Sequence, residues 1–330
     1  MKVIIGGSSS TGSSLLNRCL GRHQEVVISG ETSLFARPQL ITKWEQHKGR
    51  LQNWSKFKPL RSHGWHRENG VVLLNDEWGL THDELTGLID SASTYETFIQ
   101  IMEGSILTTA NKSAWIEKTP ANALTLPNLS MRLDRAYYIT IVRHPLETIA
   151  SMIHRGYDTL YSCGIFLLNS CFGLSIKSER WRMIRFEDFL EDYRAVTAEI
   201  IADVGLNPDL IDWDQSTQKI KLNSWRFAED QLPQPMKHSR FDGLDIDTQQ
   251  EVLGLIDCLR INPHFKIAGI SAKYLDVRSI AKVTGYDIDH RKSSRSNMDF
   301  NNRLRKSLIL RTMSMDPVNI FNSPFEIVNS

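Results

Sequence analysis

The chain has 330 residues, 41% of them hydrophobic and 23% charged, enough to bury a substantial core in one large domain or two ordinary ones. Its 39 basic and 38 acidic side chains nearly cancel, which removes any global electrostatic case for a nucleic-acid or membrane-surface partner and leaves anion binding to local structure. Cys19, Cys163, Cys171 and Cys258 are too few and too widely spaced for a disulfide framework or a paired-cysteine metal site, and read as buried small hydrophobes. No basic-then-apolar leader precedes the first strand and no apolar run approaches the roughly 20 residues that span a bilayer, so a soluble cytoplasmic protein is expected.

Val3-Ile4-Ile5 leads into Gly6-Gly7-Ser8-Ser9-Ser10-Thr11-Gly12-Ser13-Ser14, which opens into Leu15, Leu16, Cys19 and Leu20 at helical spacing: strand, tight loop, helix. Backbone N–H groups of such a loop converge on a helix N-terminus, where unpaired donors and the helix dipole favour phosphate or sulfate. Gly7 to Ser14 fits the phosphate-loop pattern G-x-x-x-x-G-K-[ST] at every fixed position but one, since Ser13 stands in the lysine place; a purely structural Gly/Ser turn is the alternative. Glu25 to Ser29 reads as a second short strand ending at Gly30-Glu31-Thr32-Ser33, which puts Glu31 at a strand end. Residues 34 to 80 carry Trp44, Trp54, Trp65 and Trp78 among basic residues and histidines without clear periodicity, and are expected to be irregular: a lid or binding wall, or a flap anchored by its tryptophans.

Thr81 with Glu84 and Ser93 with Glu96 head two amphipathic helices as capping boxes. Ala114-Trp115-Ile116-Glu117-Lys118 is a third strand, stopped at Pro120, and Ala136 to Val142 is a fourth, apolar throughout, that delivers Arg143 to its carboxyl end. A helix from Pro145 carries Ile149, Met152 and Ile153 on one face; Trp181 to Phe186 is a fifth strand, followed by a helix from about Glu187 to Asp203 that Gly205 terminates. The alternation predicts an α/β fold: a doubly wound, mostly parallel sheet of about five strands with helices on both faces. Ligands in such sheets bind beyond the carboxyl ends of the strands, where the loop, Glu31, Lys118 and Arg143 gather. Asp247 to Arg260 reads as a last amphipathic helix, and the polar remainder, including His290 to Asn297, as solvated or flexible. The expected organisation is a domain over 1–265, with a helical or irregular insertion at about 34–110, and a C-terminal extension over 266–330.

These motifs together, covering roughly residues 1 to 205, resemble the sulfotransferases that use 3′-phosphoadenosine 5′-phosphosulfate (PAPS), with their modified phosphate-loop fold. Ser10-Thr11-Gly12-Ser13-Ser14-Leu15-Leu16 resembles the family's 5′-phosphosulfate loop, and Val142-Arg143-His144-Pro145 through Ser151-Met152 its 3′-phosphate motif. Ser29-Gly30-Glu31-Thr32 and Glu117-Lys118-Thr119-Pro120 are similar to the acidic and lysine motifs of the carbohydrate- and tyrosyl-protein-directed branches, and Met183 to Asp188 to the strand and helix start that follow. The resemblance implies that Ser9, Ser10, Thr11, Gly12, Ser13 and Ser14 bind the 5′ end of PAPS and that Arg143 and Ser151 bind its 3′-phosphate. It also implies that Glu31 is the general base and that Lys118 neutralises the oxygen bridging sulfur and phosphorus, with no metal. The acceptor would be a hydroxyl of a carbohydrate, a peptide tyrosine or a small metabolite.

The family commonly places lysine or arginine where Ser10 stands, so the missing charge would come from Lys118, Arg37 or Arg61. Structural alternatives are a salt-bridging or capping Glu31 and a Lys118 paired with a neighbouring acid. His23, His144 and His154 are rival bases, and Asn122 either bonds the acceptor or caps a helix. Two other functions share this fold. A phosphate-loop kinase or NTPase is opposed by Ser13 and the lack of an evident metal-holding Asp, and a non-catalytic PAPS-binding relative is motivated by Ser10.

Overall fold

A computed structural model describes residues 1–29, 31–56, 82–214, 233, 238–288 and 324–327. Gly30, Arg61, Trp65, Trp78, Thr81, residues 290–297 and the side chain of Trp54 lie outside the described residues.

Five strands, β1 (Lys2–Gly7), β2 (Val26–Ile28), β3 (Ala114–Lys118), β4 (Ala136–Val142) and β5 (Trp181–Arg185), form one sheet in the order β2-β3-β1-β4-β5, with every pair parallel. Apolar, β-branched runs suit strands covered on both faces. Successive residues of β1 point to opposite layers, so Ile4 joins a core with Trp115 and Tyr138 while Val3 and Ile5 join one with Ile116 and Ile139. From β1 the chain runs out to the β2 edge, returns to β3, and crosses β1 to reach β4. Strand order reverses around β1, so a crevice is expected beyond its carboxyl end. The register pairs Ile5 with Lys118 and Gly7 with Ile141, so the segments after β1, β3 and β4 meet there.

The helices are α1 (Ser13–Leu20), α2 (Pro38–Thr42), α3 (Trp44–Lys56), α4 (His82–Ser91), α5 (Tyr95–Ala110), α6 (Leu126–Leu129), α7 (Pro145–Ile153), α8 (Thr159–Gly173), α9 (Phe186–Glu191), α10 (Tyr193–Asp203), α11 (Ile246–Cys258) and α12 (Val277–Thr284). No described helix is long and apolar enough to cross a membrane. The four cysteines are buried and free, as expected, and burial pushes the Cys19 thiol up to about 12.

Several elements differ from the sequence reading. The expected irregular stretch begins as helix: Pro38 presets the first turn of α2, and Trp44 opens α3. Trp44 is an anchor, since its indole donates to the Ala92 carbonyl at 2.9 Å and stacks on Phe98 at 4.9 Å between ring centres. Thr94, not Ser93, caps α5, its hydroxyl accepting from the Thr97 amide at 3.1 Å. The helix after β5 is broken at Asp192, whose carboxylate accepts from the Ala195 amide at 2.9 Å and starts α10. Helix α8 was not anticipated, and α11 is not the last helix, because α12 follows with an Asp276–Ser279 capping box and Gly285 at φ 76° closing it.

Candidate active site

The loop after β1 depends on its glycines at two points. A Cβ on Gly7 would lie 2.4 Å from the Ile141 carbonyl oxygen, and one on Gly12, at φ 87°, would lie 2.2 Å from the Phe186 ring. Thr11 donates its hydroxyl hydrogen to the Ser8 carbonyl at 2.8 Å, and the Gly12 carbonyl accepts from the Leu15 amide at 2.9 Å to open α1. The first N–H groups of α1 are therefore those of the loop, and a helix start of this kind favours an anion. The Ser8 hydroxyl is buried at the base of the loop with no hydrogen-bond partner among the described residues.

The loop carries no charge of its own, and neighbouring elements import it. At one end Lys118, from β3, donates from Nζ to Ser14 Oγ at 3.0 Å. At the other, Arg143 Nη1 donates to the Ser10 carbonyl at 3.1 Å and Arg155 Nη1 to Ser10 Oγ at 3.0 Å. The guanidiniums beside Ser10 are thus those of Arg143 and Arg155, while Arg37 is buried at the start of α2.

Lys118 is 2% exposed and its Nζ stands 2.5 Å from Glu31 Oε1, so the sequence-expected base and cation form an ion pair at the loop. The next residue back along β3, Glu117, points to the opposite face and is fully buried. Its Oε1 accepts from the Thr32 amide (3.0 Å), the Thr32 hydroxyl (2.8 Å) and the Thr119 hydroxyl (2.6 Å), and its Oε2 from Asn122 Nδ2 (2.6 Å). Burial pushes the Glu117 carboxyl above the ordinary 4.5, against these donors. Thr119 also accepts from the Ser33 amide at 3.1 Å, which fastens the segment after β2 to the end of β3 and sets Glu31 next to Lys118. Asn122 neither caps a helix nor reaches outward: its amide donates to the Ile5 carbonyl at 3.1 Å as well as to Glu117.

At the end of β4, Arg143 is buried, with its guanidinium 5.2 Å from the Phe186 ring centre. Ser151, buried two turns along α7, accepts from Arg240 Nη1 at 3.2 Å. Burial, and after it the nearby Arg240 charge, pull the Arg143 pKa down, while Glu147 and Glu187 oppose the shift. His23 is engaged elsewhere: Nδ1 accepts from the Glu25 amide at 3.0 Å and Nε2 donates to the Asn207 carbonyl at 3.0 Å. His154 Nε2 faces the Arg240 carbonyl at 3.1 Å, and the His144 ring meets Tyr286 edge-on at 5.4 Å.

A profile of the sulfotransferase family matches residues 2–209, a span that holds every residue of this site except Arg240. The chain belongs to the sulfotransferase family.

Among solved structures, this sulfotransferase is similar to the sulfotransferase domain of the Synechococcus PCC 7002 olefin synthase (18% identity, 87% of this chain and 95% of that one, TM-score 0.48). It is also similar to the sulfotransferase domain of the curacin biosynthetic pathway (16% identity, 87% and 98%, TM-score 0.48). A third is a sulfotransferase from Alicyclobacillus acidocaldarius (15% identity, 66% and 86%, TM-score 0.37). No curated protein matches the chain. Sequence reasoning missed two arginines of the sulfotransferase site. Arg155 was within reach, since it lies four residues, one helical turn, beyond Ser151. Arg240 carries no local signal and meets Ser151 across 89 residues.

Proposed function

We propose that this sulfotransferase takes its sulfuryl group from PAPS and passes it in line to a hydroxyl acceptor, with Glu31 as general base and Lys118 as the cation at the transferring centre. The observation that carries this reading is the cations at both ends of the loop: Lys118, paired with Glu31, on Ser14, and Arg143 and Arg155 on Ser10, with Arg240 on Ser151. PAPS supplies an activated sulfuryl group on a phosphate carrying further negative charge. The residues present fit that polyanion: a helix start, a Ser8 hydroxyl with no hydrogen-bond partner among the described residues, and the guanidiniums of Arg143 and Arg155 on Ser10.

Loop amides and the hydroxyls of Thr11, Ser13 and Ser14 hold the 5′ end, where charge grows during transfer. Arg143, Ser151, Arg155 and Arg240 hold the 3′-phosphate side, with the planar arginine fork suited to phosphate oxygens. Lys118 has two roles. It holds the Glu31 carboxylate at the loop through their ion pair, and through Ser14 its ammonium stands at the helix start where charge on the transferring group is neutralised.

The product nucleotide adenosine 3′,5′-bisphosphate (PAP) should raise the melting temperature in a concentration-dependent way, because a ligand of the folded state stabilises it by about 2.7 kcal/mol at 100 times its Kd. ATP with magnesium should do much less. Equal shifts, or a larger one from ATP, would overturn the reading in favour of a kinase or NTPase. PAP binding without PAPS consumption across a panel of sugar, tyrosyl-peptide and small alcohol acceptors would leave a binding protein.

A further inference from the structure

Helix α7 presents Glu147, Ser151 and His154 at successive turns, the spacing that places side chains along one stripe. The segment from Ser239 to Asp242 lies along that stripe. Glu147 Oε1 accepts from Ser239 Oγ at 2.6 Å and from the Phe241 amide at 3.4 Å, and its Oε2 accepts from the Arg240 amide at 2.9 Å. At the far end, His154 Nε2 meets the Arg240 carbonyl at 3.1 Å. Between these two fixings the Arg240 side chain reaches Ser151. The Asp242 amide donates back to Ser239 Oγ at 3.1 Å, so the segment turns back on the serine that Glu147 holds.

We propose that Glu147 is a positioning residue for recognition of the 3′-phosphate: its carboxylate docks the 239–241 backbone on the first turn of α7 and so aims Arg240 at Ser151. The proposal rests on the reading of Arg143 and Ser151 as the 3′-phosphate site.

Two features give Glu147 this role rather than that of a general fold staple. First, Phe241 is 1% exposed in the core shared by α7, α8 and α11, so that core anchors the segment without Glu147. What Glu147 adds is the hydrogen bond to the Arg240 amide, which fixes the direction of the residue before that anchor. Second, Glu147 Oε2 lies 3.7 Å from Arg143 Nη2, so the acid that holds the Arg240 backbone also offsets the charge of the buried Arg143 before an anion arrives. Arg143 reaches the site from the end of β4 by a covalently short path, whereas Arg240 comes from a distant segment whose register on α7 is set by this carboxylate.

The test is calorimetry on the full chain with PAP and with AMP, which differ by the 3′-phosphate alone. Glu147→Ala should weaken PAP binding by about tenfold or more while AMP binding stays within about threefold, because the loss is confined to charge-assisted contacts at one phosphate. Arg240→Ala should do the same, and the double variant should bind PAP no worse than Arg240→Ala alone, since a positioning residue has nothing left to position. Glu147→Gln, which keeps the shape and one acceptor oxygen, should fall between wild type and Glu147→Ala and guards against a variant that fails to fold. Unchanged or tighter PAP binding in Glu147→Ala and Glu147→Gln would overturn the proposal, because a bare acid near a phosphate would only have repelled it. Equal losses for PAP and AMP, or independent losses in the double variant, would overturn it as well. A wild-type chain that binds PAP no better than AMP would instead remove the 3′-phosphate reading itself, a result visible before any variant is made.

Discussion

Lys118 and Glu31 were each read from the sequence as chemical groups, and the structure places them 2.5 Å apart, so their roles are linked. Lys118→Ala should lower sulfuryl transfer by roughly 100- to 1000-fold, the usual cost of removing a preorganised stabiliser of transition-state charge. Because Ser10 sits beside Arg155 and Arg143 while Lys118 sits at Ser14, Ser10→Lys should compensate Arg155→Ala and leave Lys118→Ala unrepaired. Turnover of the singles and doubles decides this; rescue of Lys118→Ala by Ser10→Lys would mean that both side chains reach one charge. Glu117 makes a separate prediction about pH. Its folded value lies above the ordinary 4.5, so its contribution to stability is fully present below that value and is lost as pH rises through the folded pKa. Glu117→Gln abolishes that loss, so the stability of the variant relative to wild type should rise from about pH 4.5 towards neutrality, as urea unfolding at a series of pH values would show. A difference that is flat with pH would place Glu117's proton affinity at its unfolded value, and one that moves against the variant would place it below. These residues were legible for a physical reason: strand-end and helix-start chemistry is written in a few adjacent letters. Arg240 was not, since only the tertiary fold brings it to Ser151.

At the scale of elements, β1, β2 and β4 were readable because buried parallel strands are continuous apolar runs, and β4 was placed to the residue. Helix α8 escaped because it is buried on nearly every side, from Leu160 to Gly173, and so has no polar stripe to give a period. The break at Asp192 escaped because one capping carboxylate, not a proline or glycine, ends one helix and starts the next. The loop between β1 and α1 is where sequence and structure agree most closely, and Gly12 is its most exacting position. Gly12→Ala would combine a left-handed backbone, about 1–2 kcal/mol for an L side chain, with a methyl group 2.2 Å from the Phe186 ring. Phe186 also packs under Arg143, so displacing it should weaken PAP binding along with stability. Denaturant melts and PAP titrations of Gly12→Ala should show both losses; a stable variant with normal PAP affinity would mean that the loop tolerates a different path.

At the scale of the whole molecule, the sequence becomes polar past residue 265, which is why 266–330 read as an extension. The described part of that stretch is strongly apolar in its contacts. Ile267, Val277, Ile280, Ala281, Tyr286, Ile288 and Phe325 are buried in one core with α7, α8 and α11, and β7 (Phe325–Ile327) pairs antiparallel with β6 (Leu259–Ile261). The Tyr286 hydroxyl donates to Glu187, whose other carboxylate oxygen accepts from the His144 amide at 3.1 Å, in the 3′-phosphate motif itself. Its ring also lies 4.6 Å from the Arg185 guanidinium at the end of β5. Fully burying a Val, Ile or Phe side chain contributes roughly 1.5–3 kcal/mol, so four of these side chains match the whole net stability of about 5–15 kcal/mol typical of a domain. A chain ended at residue 265 should therefore lose cooperative unfolding and PAP-dependent stabilisation together, and Tyr286→Phe, which removes only the hydroxyl, should cost about 1 kcal/mol and weaken PAP binding modestly. Expressing the 1–265 chain beside the full one and following both by calorimetric melting with and without PAP separates the two organisations. A cooperative 1–265 monomer with an unaltered PAP response would make the remainder an appendage; its absence would make residues 266–288 and the β7 strand part of the machinery that holds the donor.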